Sequence, residues 1–316
     1  MERVIFDTNA YRYLVANKDD RQIEKTLERL KASEKKNGIE TLISPIVSKE
    51  LLAHVADRND PQFDKCLKAI KAQYLHNGTS KSYSMIASPE LLLSKTYFNQ
   101  TIPAKEETNK AIGQILFNLA TNPSEQTFKK FQRNLNLNRD HVLDGENNFA
   151  LTMLQFVMAV DPSAVGWRIF PNNPQKREDT LKSIRSEKVS LEIAMGYLFT
   201  TYQLLINSGL FTPFSKENLF EEITGRAKDF LTTFPEPIAL YKYVMENLVN
   251  SEFNLLEKSR SNFLWDIHLM FNIGDHSIDG SKLYFVTADK AIIRTAIGEN
   301  ARYSILTFDE YLEYLK

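Results

Sequence analysis

The 316-residue sequence predicts an α/β fold whose parallel sheet comes from both ends of the chain and is interrupted by an all-helical insertion. Three observations point there. Strand and helix patterns alternate over residues 1–57 and again over 260–316, while 58–259 shows helical periodicity with almost no strand signal. Short apolar strands near the two ends also run into aspartates, Asp7 and Asp289. Strands alternating with helices specify a parallel sheet. The expected domains are a discontinuous α/β domain, 1–57 and 260–316, and a helical insertion domain, 58–259.

Val4-Ile5-Phe6 is a short apolar strand leading into Asp7-Thr8-Asn9, and Thr8 or Asn9 is placed to cap a helix from near Ala10 to about Leu14. A charged helix follows over about 20–36. The strand Thr41-Leu42-Ile43 runs into Ser44-Pro45, a cap residue followed by proline at the first helical position. In the middle segment Ile112, Ile115, Leu116 and Leu119 recur at helical spacing, as do Leu191, Ala194, Leu198, Tyr202 and Leu205. Breakers at Asn122-Pro123, Asp161-Pro162, Pro171 to Pro174, Thr212-Pro213 and Pro235 to Pro237 cut this stretch into roughly six to eight helices. No repeat of fixed length appears, which disfavours a regular solenoid. After residue 260 the pattern gives a helix over 261–271, a polar loop with Gly274 and Gly280, the strand Leu283 to Val286, a helix over 289–297 and a strand over 303–306. Thr307-Phe308-Asp309-Glu310 is a capping box opening the last helix.

A hydrophobic fraction of 43% and a charged fraction of 25% are ordinary for a globular protein. A net charge of −1 provides no global field toward nucleic acid or membrane and argues against a tight non-specific DNA binder. A local basic patch still acts within a Debye length of about 8 Å. The single cysteine, Cys66, excludes an internal disulfide and a cysteine-rich zinc site, and reads as a small buried side chain. The longest apolar patch, 149–160, is interrupted by Thr152 and Gln155 and is too short to span a bilayer. With no charged and apolar leader ahead of the first strand, the expectation is a cytoplasmic protein without membrane contact.

Four carboxylates stand where this topology collects them: Asp7 after the first strand, Glu50 in the second turn of the helix begun by Ser44-Pro45, Asp266 within the apolar run Asn262 to Met270, and Asp289 after the late strand. Open α/β sheets bind ligands at the carboxyl ends of their strands. Taken singly, Asp289 reads equally as a helix cap and Glu50 as a surface residue. Asp266 has little polar face around it, and an isolated buried carboxylate is costly. Two carboxylates about 5 Å apart repel by roughly 3 kcal/mol at an effective dielectric near 20, so a cluster calls for a cation. All-oxygen ligands select Mg²⁺ or Mn²⁺ rather than zinc, and the chemistry suited to such a site is phosphodiester hydrolysis.

The set Ile5-Phe6-Asp7-Thr8-Asn9, Ser44-Pro45 with Glu50, Asp266 in an apolar helix, and Val286-Thr287-Ala288-Asp289 resembles a PIN domain over roughly residues 1–57 and 260–316. That family comprises metal-dependent nucleases acting mostly on RNA. The resemblance implies a PIN-like parallel sheet flanked by helices, an RNA substrate, and Asp7, Glu50, Asp266 and Asp289 as metal ligands and catalytic residues. Thr8, Asn9 and Thr287 would support them by hydrogen bonds. Because many members belong to toxin systems, the resemblance leaves open a protein regulator of the antitoxin kind. Two features depart from the pattern: the insertion is far longer than the family's intervening segment, and Lys290, Ala291 and Ile292 follow Asp289 where many members carry another acid. Asp275 and Asp279 in the preceding loop are substitutes for that acid or plain solvated loop residues. The rival reading is a non-catalytic PIN-like scaffold whose insertion binds a protein or RNA partner. An aspartyl-phosphate phosphatase needs a second acid two residues after Asp7, where Asn9 stands.

Lesser signals are His54, one helical turn after Glu50, and His268, which points away from Asp266. Asp144-Gly145-Glu146 reads as a helix start. Basic residues interleave with aromatics at Phe128 to Arg133, and at Trp167 to Phe170 with Lys176-Arg177, where they suit a phosphate backbone and base stacking or are solvated helix faces.

Overall fold

Val4, Ile5 and Phe6 are all buried in strand β1 (Glu2–Phe6), as expected of a parallel strand covered on both faces. The computed structural model describes residues 2–77, 85–251, 253–256, 262–276, 280–289, 292–293 and 304–316. After β1 come α1 (Thr8–Val15), α2 (Asp20–Lys36), β2 (Ile39–Thr41), α3 (Pro45–His54) and α4 (Phe63–Asn77). The helical stretch continues with α5 (Pro89–Phe98), α6 (Pro103–Thr121), α7 (Glu125–Val160), α8 (Pro174–Arg185), α9 (Glu187–Asn207), α10 (Lys216–Thr233) and α11 (Pro235–Asn250). Last come α12 (Phe263–Leu269), β3 (Gly274–His276), β4 (Ser281–Val286), β5 (Ile305–Leu306) and α13 (Phe308–Tyr314).

β1 pairs in parallel with β2 on one side and with β4 on the other, where Phe6 faces Val286. The far edge of β4 is shared: β3 runs antiparallel beside Ser281 to Leu283, and β5 runs parallel beside Phe285 and Val286. The fold is α/β, with parallel strands drawn from both ends of the chain.

Several local details differ from the sequence expectation. Helix α1 begins at Thr8 because Asp7, rather than Thr8 or Asn9, supplies the capping carboxylate. β2 lies two residues earlier than expected, and Ile43 leaves β1 to bridge Met85. Ser44 makes no side-chain cap bond, so Pro45 alone marks the start of α3. Asp144-Gly145-Glu146 lies inside α7 and opens no helix. A Cβ on Gly145 would stand 3.0 Å from the Trp265 ring, so the glycine there serves close packing rather than a turn. The helix expected over 289–297 and the start of the strand over 303–306 fall largely outside the described residues.

Packing divides the chain into a sheet unit, residues 1–88, 103–143 and 272–316, and a helical unit, 89–102 and 144–271. The sheet unit therefore takes in more than the terminal segments 1–57 and 260–316. Helix α4 packs on α1, α2 and α3, and α6 packs on α3 and α4, which draws two helical stretches to the sheet. Conversely α12 packs on α11 and belongs to the helical unit. Among the described residues one helix, α9, is long and apolar enough to cross a bilayer by length and composition alone. Its Ala194, Leu198, Tyr202 and Leu205 are buried, and it packs on α5 and α10.

A buried polar hub braces the sheet unit. Glu34 of α2, 2% exposed, accepts hydrogen bonds from His76 Nε2 (2.9 Å to Oε1), Tyr311 Oη (2.9 Å) and Thr41 Oγ1 (3.0 Å). His76 Nδ1 and the Tyr11 hydroxyl are hydrogen-bonded at 3.2 Å. Burial and the charge of Glu34 push the hydroxyls of Tyr11 and Tyr311 well above the usual tyrosine range, so both stay protonated. Above the hub, Phe6 meets Tyr11, His76, Phe308 and Tyr311 at ring-centroid distances of 4.7–5.9 Å. Removing an acceptor shared by buried donors leaves each donor unsatisfied, at about 1–3 kcal/mol apiece. Glu34→Ala is expected to lower stability by that order and Tyr311→Phe by about 1 kcal/mol, read as shifts of the urea midpoint. Equal, small shifts for the two variants would mean the hub carries little of the fold.

Candidate functional site

Strand order reverses between β1 and β4, since β2 lies beyond β1 on one side and β5 beyond β4 on the other. The carboxyl ends of these two strands flank the crevice where open α/β sheets place their ligands. Asp7 leaves β1 there, its N–H donating to the Val286 carbonyl at 3.0 Å. Thr287 leaves β4 beside it, its N–H donating to Leu306 at 2.9 Å.

Asp7 is 4% exposed. Its Oδ1 accepts the Ala10 N–H at the start of α1, and its Oδ2 accepts the Thr287 hydroxyl. Thr287, fully buried, also accepts the Asp289 N–H at 2.9 Å through the same oxygen. Asp289 is half-buried, and its Oδ1 accepts the Ile292 N–H at 3.1 Å in a capping bond. On the other side of Asp7, Thr8 donates to Glu50 Oε2 at 2.6 Å. Asp7, Thr287 and Asp289 are thus joined through one hydroxyl, and Glu50 is tied to the residue next to Asp7.

Burial pushes the Asp7 carboxyl up to about 6. The Thr287 and Ala10 hydrogen bonds pull it partly back, and the charge of Asp289 raises it further. Burial outweighs the hydrogen bonds, so holding this group as an anion is costly.

The remaining candidates are placed differently. Asn9 is exposed on α1, outside the hydrogen-bond set of Asp7 and Glu50. Asp266 is half-buried on α12 and belongs to the helical unit, while Asp7, Glu50 and Asp289 belong to the sheet unit. Among the described residues, no three His, Cys, Asp or Glu side chains are grouped to hold a metal ion. Asp279 lies outside the described residues. His54 pairs with Asp60 at 2.9 Å. Cys66 is buried, with an Arg12 N–H donating to its sulfur at 3.2 Å. Of the basic-aromatic runs, Phe128 and Trp167 are buried, which leaves Phe131 beneath Lys130 and Phe170 beneath Lys176 as the half-exposed rings. Sequence reasoning missed the Glu34–His76 hub, whose glutamate looks like one more solvated charge in α2.

No family model, curated protein or solved structure matches the chain. What the site can do is set by its own chemistry.

The raised Asp7 carboxyl has a thermodynamic consequence. Its unfolded value is 3.8, so between about pH 4 and pH 6 the folded chain holds a proton that the unfolded chain has lost. Stability from this group is complete below pH 4, falls as pH rises to 6, and stays reduced above it by about 3 kcal/mol. Asp7→Asn is expected to flatten this loss, and the difference between wild-type and variant melting curves from pH 4.5 to 7.5 isolates it. Parallel pH profiles would refute the assignment.

Proposed function

We propose that the chain is a metal-dependent ribonuclease whose site lies at the carboxyl ends of β1 and β4. The observation that carries the reading is the buried Asp7 carboxylate at the strand-order reversal, linked by Thr287 to Asp289 and raised by its own burial. A carboxylate held at such cost is what a bound cation would relieve.

The donor set suits a hard cation that keeps most of its water. The Asp7 carboxylate accepts from Ala10, Thr287 and Ala288, and of its roughly four lone-pair sites one is left for a cation. Mg²⁺ commonly takes one or two protein carboxylates and completes its octahedron with water and substrate phosphate, so an all-protein cage is not needed. Asp7 and Asp289 are the ligands the geometry favours. Glu50, held by Thr8, completes the proposed set within the sheet unit, and Asp266, which belongs to the helical unit, is given no part in it. Mg²⁺ or Mn²⁺ would lower the pKa of a bound water and polarise a phosphoryl oxygen.

The chain's own residues supply position and charge. Thr287 fixes the direction of the Asp7 carboxylate and, through the Asp289 N–H, the start of the next turn. Thr8 fixes Glu50. With Asp7 near 6, the carboxylate is ionised at neutral pH and takes up a proton in mild acid. The scaffold alternative draws on the long helical stretch, to which the nuclease reading gives no role.

Metal titration separates the two readings. Mn²⁺ is expected to raise the melting temperature of the wild-type chain and to leave Asp7→Asn and Asp289→Asn unmoved. Cleavage of single-stranded RNA should fall at least about a hundredfold in both variants, by the scale of losing charge stabilisation at a phosphoryl centre, and wild-type activity should drop below pH 6. Melting indifferent to Mn²⁺ together with no cleavage would overturn the nuclease reading.

A further inference from the structure

The helical unit contains a cavity of about 660 Å³, a size that takes a small organic molecule. Its wall is mostly apolar and is drawn from α5, α7, α9, α11 and α12, with Leu93, Phe149, Met153, Ile193, Met245 and Leu264 among the lining residues. Charge there is already matched. Glu192 stands 3.9 Å from Lys188, one turn along α9, and Glu90 and His268 have partners of their own. No Lys or Arg is among the described lining residues. An ion of either sign would give up its water for no free counter-charge, so the cavity suits a neutral molecule.

The hydroxyls that line it fall into two kinds. Thr152, Thr200 and Thr201 donate to carbonyls of their own helices, those of Asn148, Gly196 and Tyr197, at 2.9–3.0 Å. Tyr197 and Tyr241 differ: among the described residues neither hydroxyl has a hydrogen-bond partner. Their rings are packed against other rings. Tyr197 lies nearly parallel to Phe230, with centroids 6.1 Å apart and planes at 14°, and edge-on to Phe271 at 5.1 Å. Tyr241 stands edge-on to Phe149 at 5.8 Å, and the two tyrosines meet at 6.4 Å and 82°. Neighbouring rings thus fix both side chains, and the hydroxyl is the one polar side-chain atom each brings to the lining. Burial pushes the Tyr241 hydroxyl up to about 12 and that of Tyr197 well above the usual range, so both keep their protons and can donate. A donor left unpaired in such surroundings is costly, and a ligand oxygen relieves that cost.

We propose that this cavity binds a neutral, largely apolar organic molecule carrying a carbonyl oxygen, which accepts hydrogen bonds from Tyr197 and Tyr241. The apolar wall takes the body, and two phenols held in place by their aromatic neighbours position the oxygen. Donors fixed before binding lose little freedom when the ligand arrives. The site is distinct from the carboxylates of the sheet unit and does not rest on the nuclease reading.

Benzophenone and diphenylmethane share one body and differ by a carbonyl oxygen, while diphenylacetate adds a negative charge. Equilibrium dialysis of each against the full chain measures binding. Benzophenone is expected to bind saturably, and diphenylacetate at least about tenfold more weakly. The double variant Tyr197→Phe/Tyr241→Phe keeps both rings and removes only hydroxyls that bond to no described residue. It should weaken benzophenone at least about fivefold, the scale of one to two net hydrogen bonds, and change diphenylmethane less than about twofold. If circular dichroism shows that the double variant does not fold, Tyr241→Phe alone is read the same way, at about threefold or more. Gly196 lines the cavity and a Cβ there meets nothing within 4 Å, so Gly196→Leu adds bulk without a clash. It should weaken both neutral probes at least about tenfold. No saturable binding of benzophenone, diphenylacetate bound as tightly, equal losses of the two neutral probes in the phenylalanine variants, or binding unchanged by Gly196→Leu overturns the proposal.

Discussion

Everything placed at the candidate site depends on one parallel pairing, that of β1 with β4. The register from Glu2 against Lys282 to Phe6 against Val286 leaves Asp7 and Thr287 side by side as both strands end. A slip of one residue would invert every side chain along β4 and turn Phe285 and the other buried residues of the strand to the opposite face. Register is therefore enforced by the core. The polar residues beyond the strands inherit their positions from apolar ones before them.

The same region shows two ways of keeping a carboxylate out of water. Glu34 is buried with three donors in place, and those donors come from α4, α13 and β2, so the group works as a joint between elements. Asp7 also has donors, from Thr287, Ala10 and Ala288, but it sits beside a like charge, and burial still raises it. Fully satisfied buried charges serve architecture, while costly ones mark places where a ligand changes the balance.

Much of this was legible in the sequence, for definite reasons. Val4 to Phe6 and Leu283 to Val286 are short apolar runs that end on polar residues, and a buried parallel strand leaves that trace. The helical middle was marked by its prolines. Other features had no local trace. Two of the three partners of Glu34, His76 and Tyr311, lie 42 and 277 positions away, so the stretch around α2 does not reveal that it is buried. Gly145 read as part of a helix start because the Trp265 ring that requires its smallness is far along the chain. Periodicity likewise shows that α4 and α6 have an apolar face but not what covers it, which is why the unit boundaries shifted. The aromatic walls of the cavity read as ordinary helix core, since spacing fixes a face and not the angles between rings.

The pairing of Asp7 with Thr287 spans 280 positions. During synthesis at roughly 5–20 residues per second, β1 emerges about 15–60 s before its partner strand exists. Over that interval one edge of the central strand has no β4 to pair with, and an unpaired apolar edge invites association with other chains. The helical unit is complete before β4 is made and can fold while the sheet waits. The order of synthesis therefore leaves the candidate site open until β4 is made, and the hub open until Tyr311 follows.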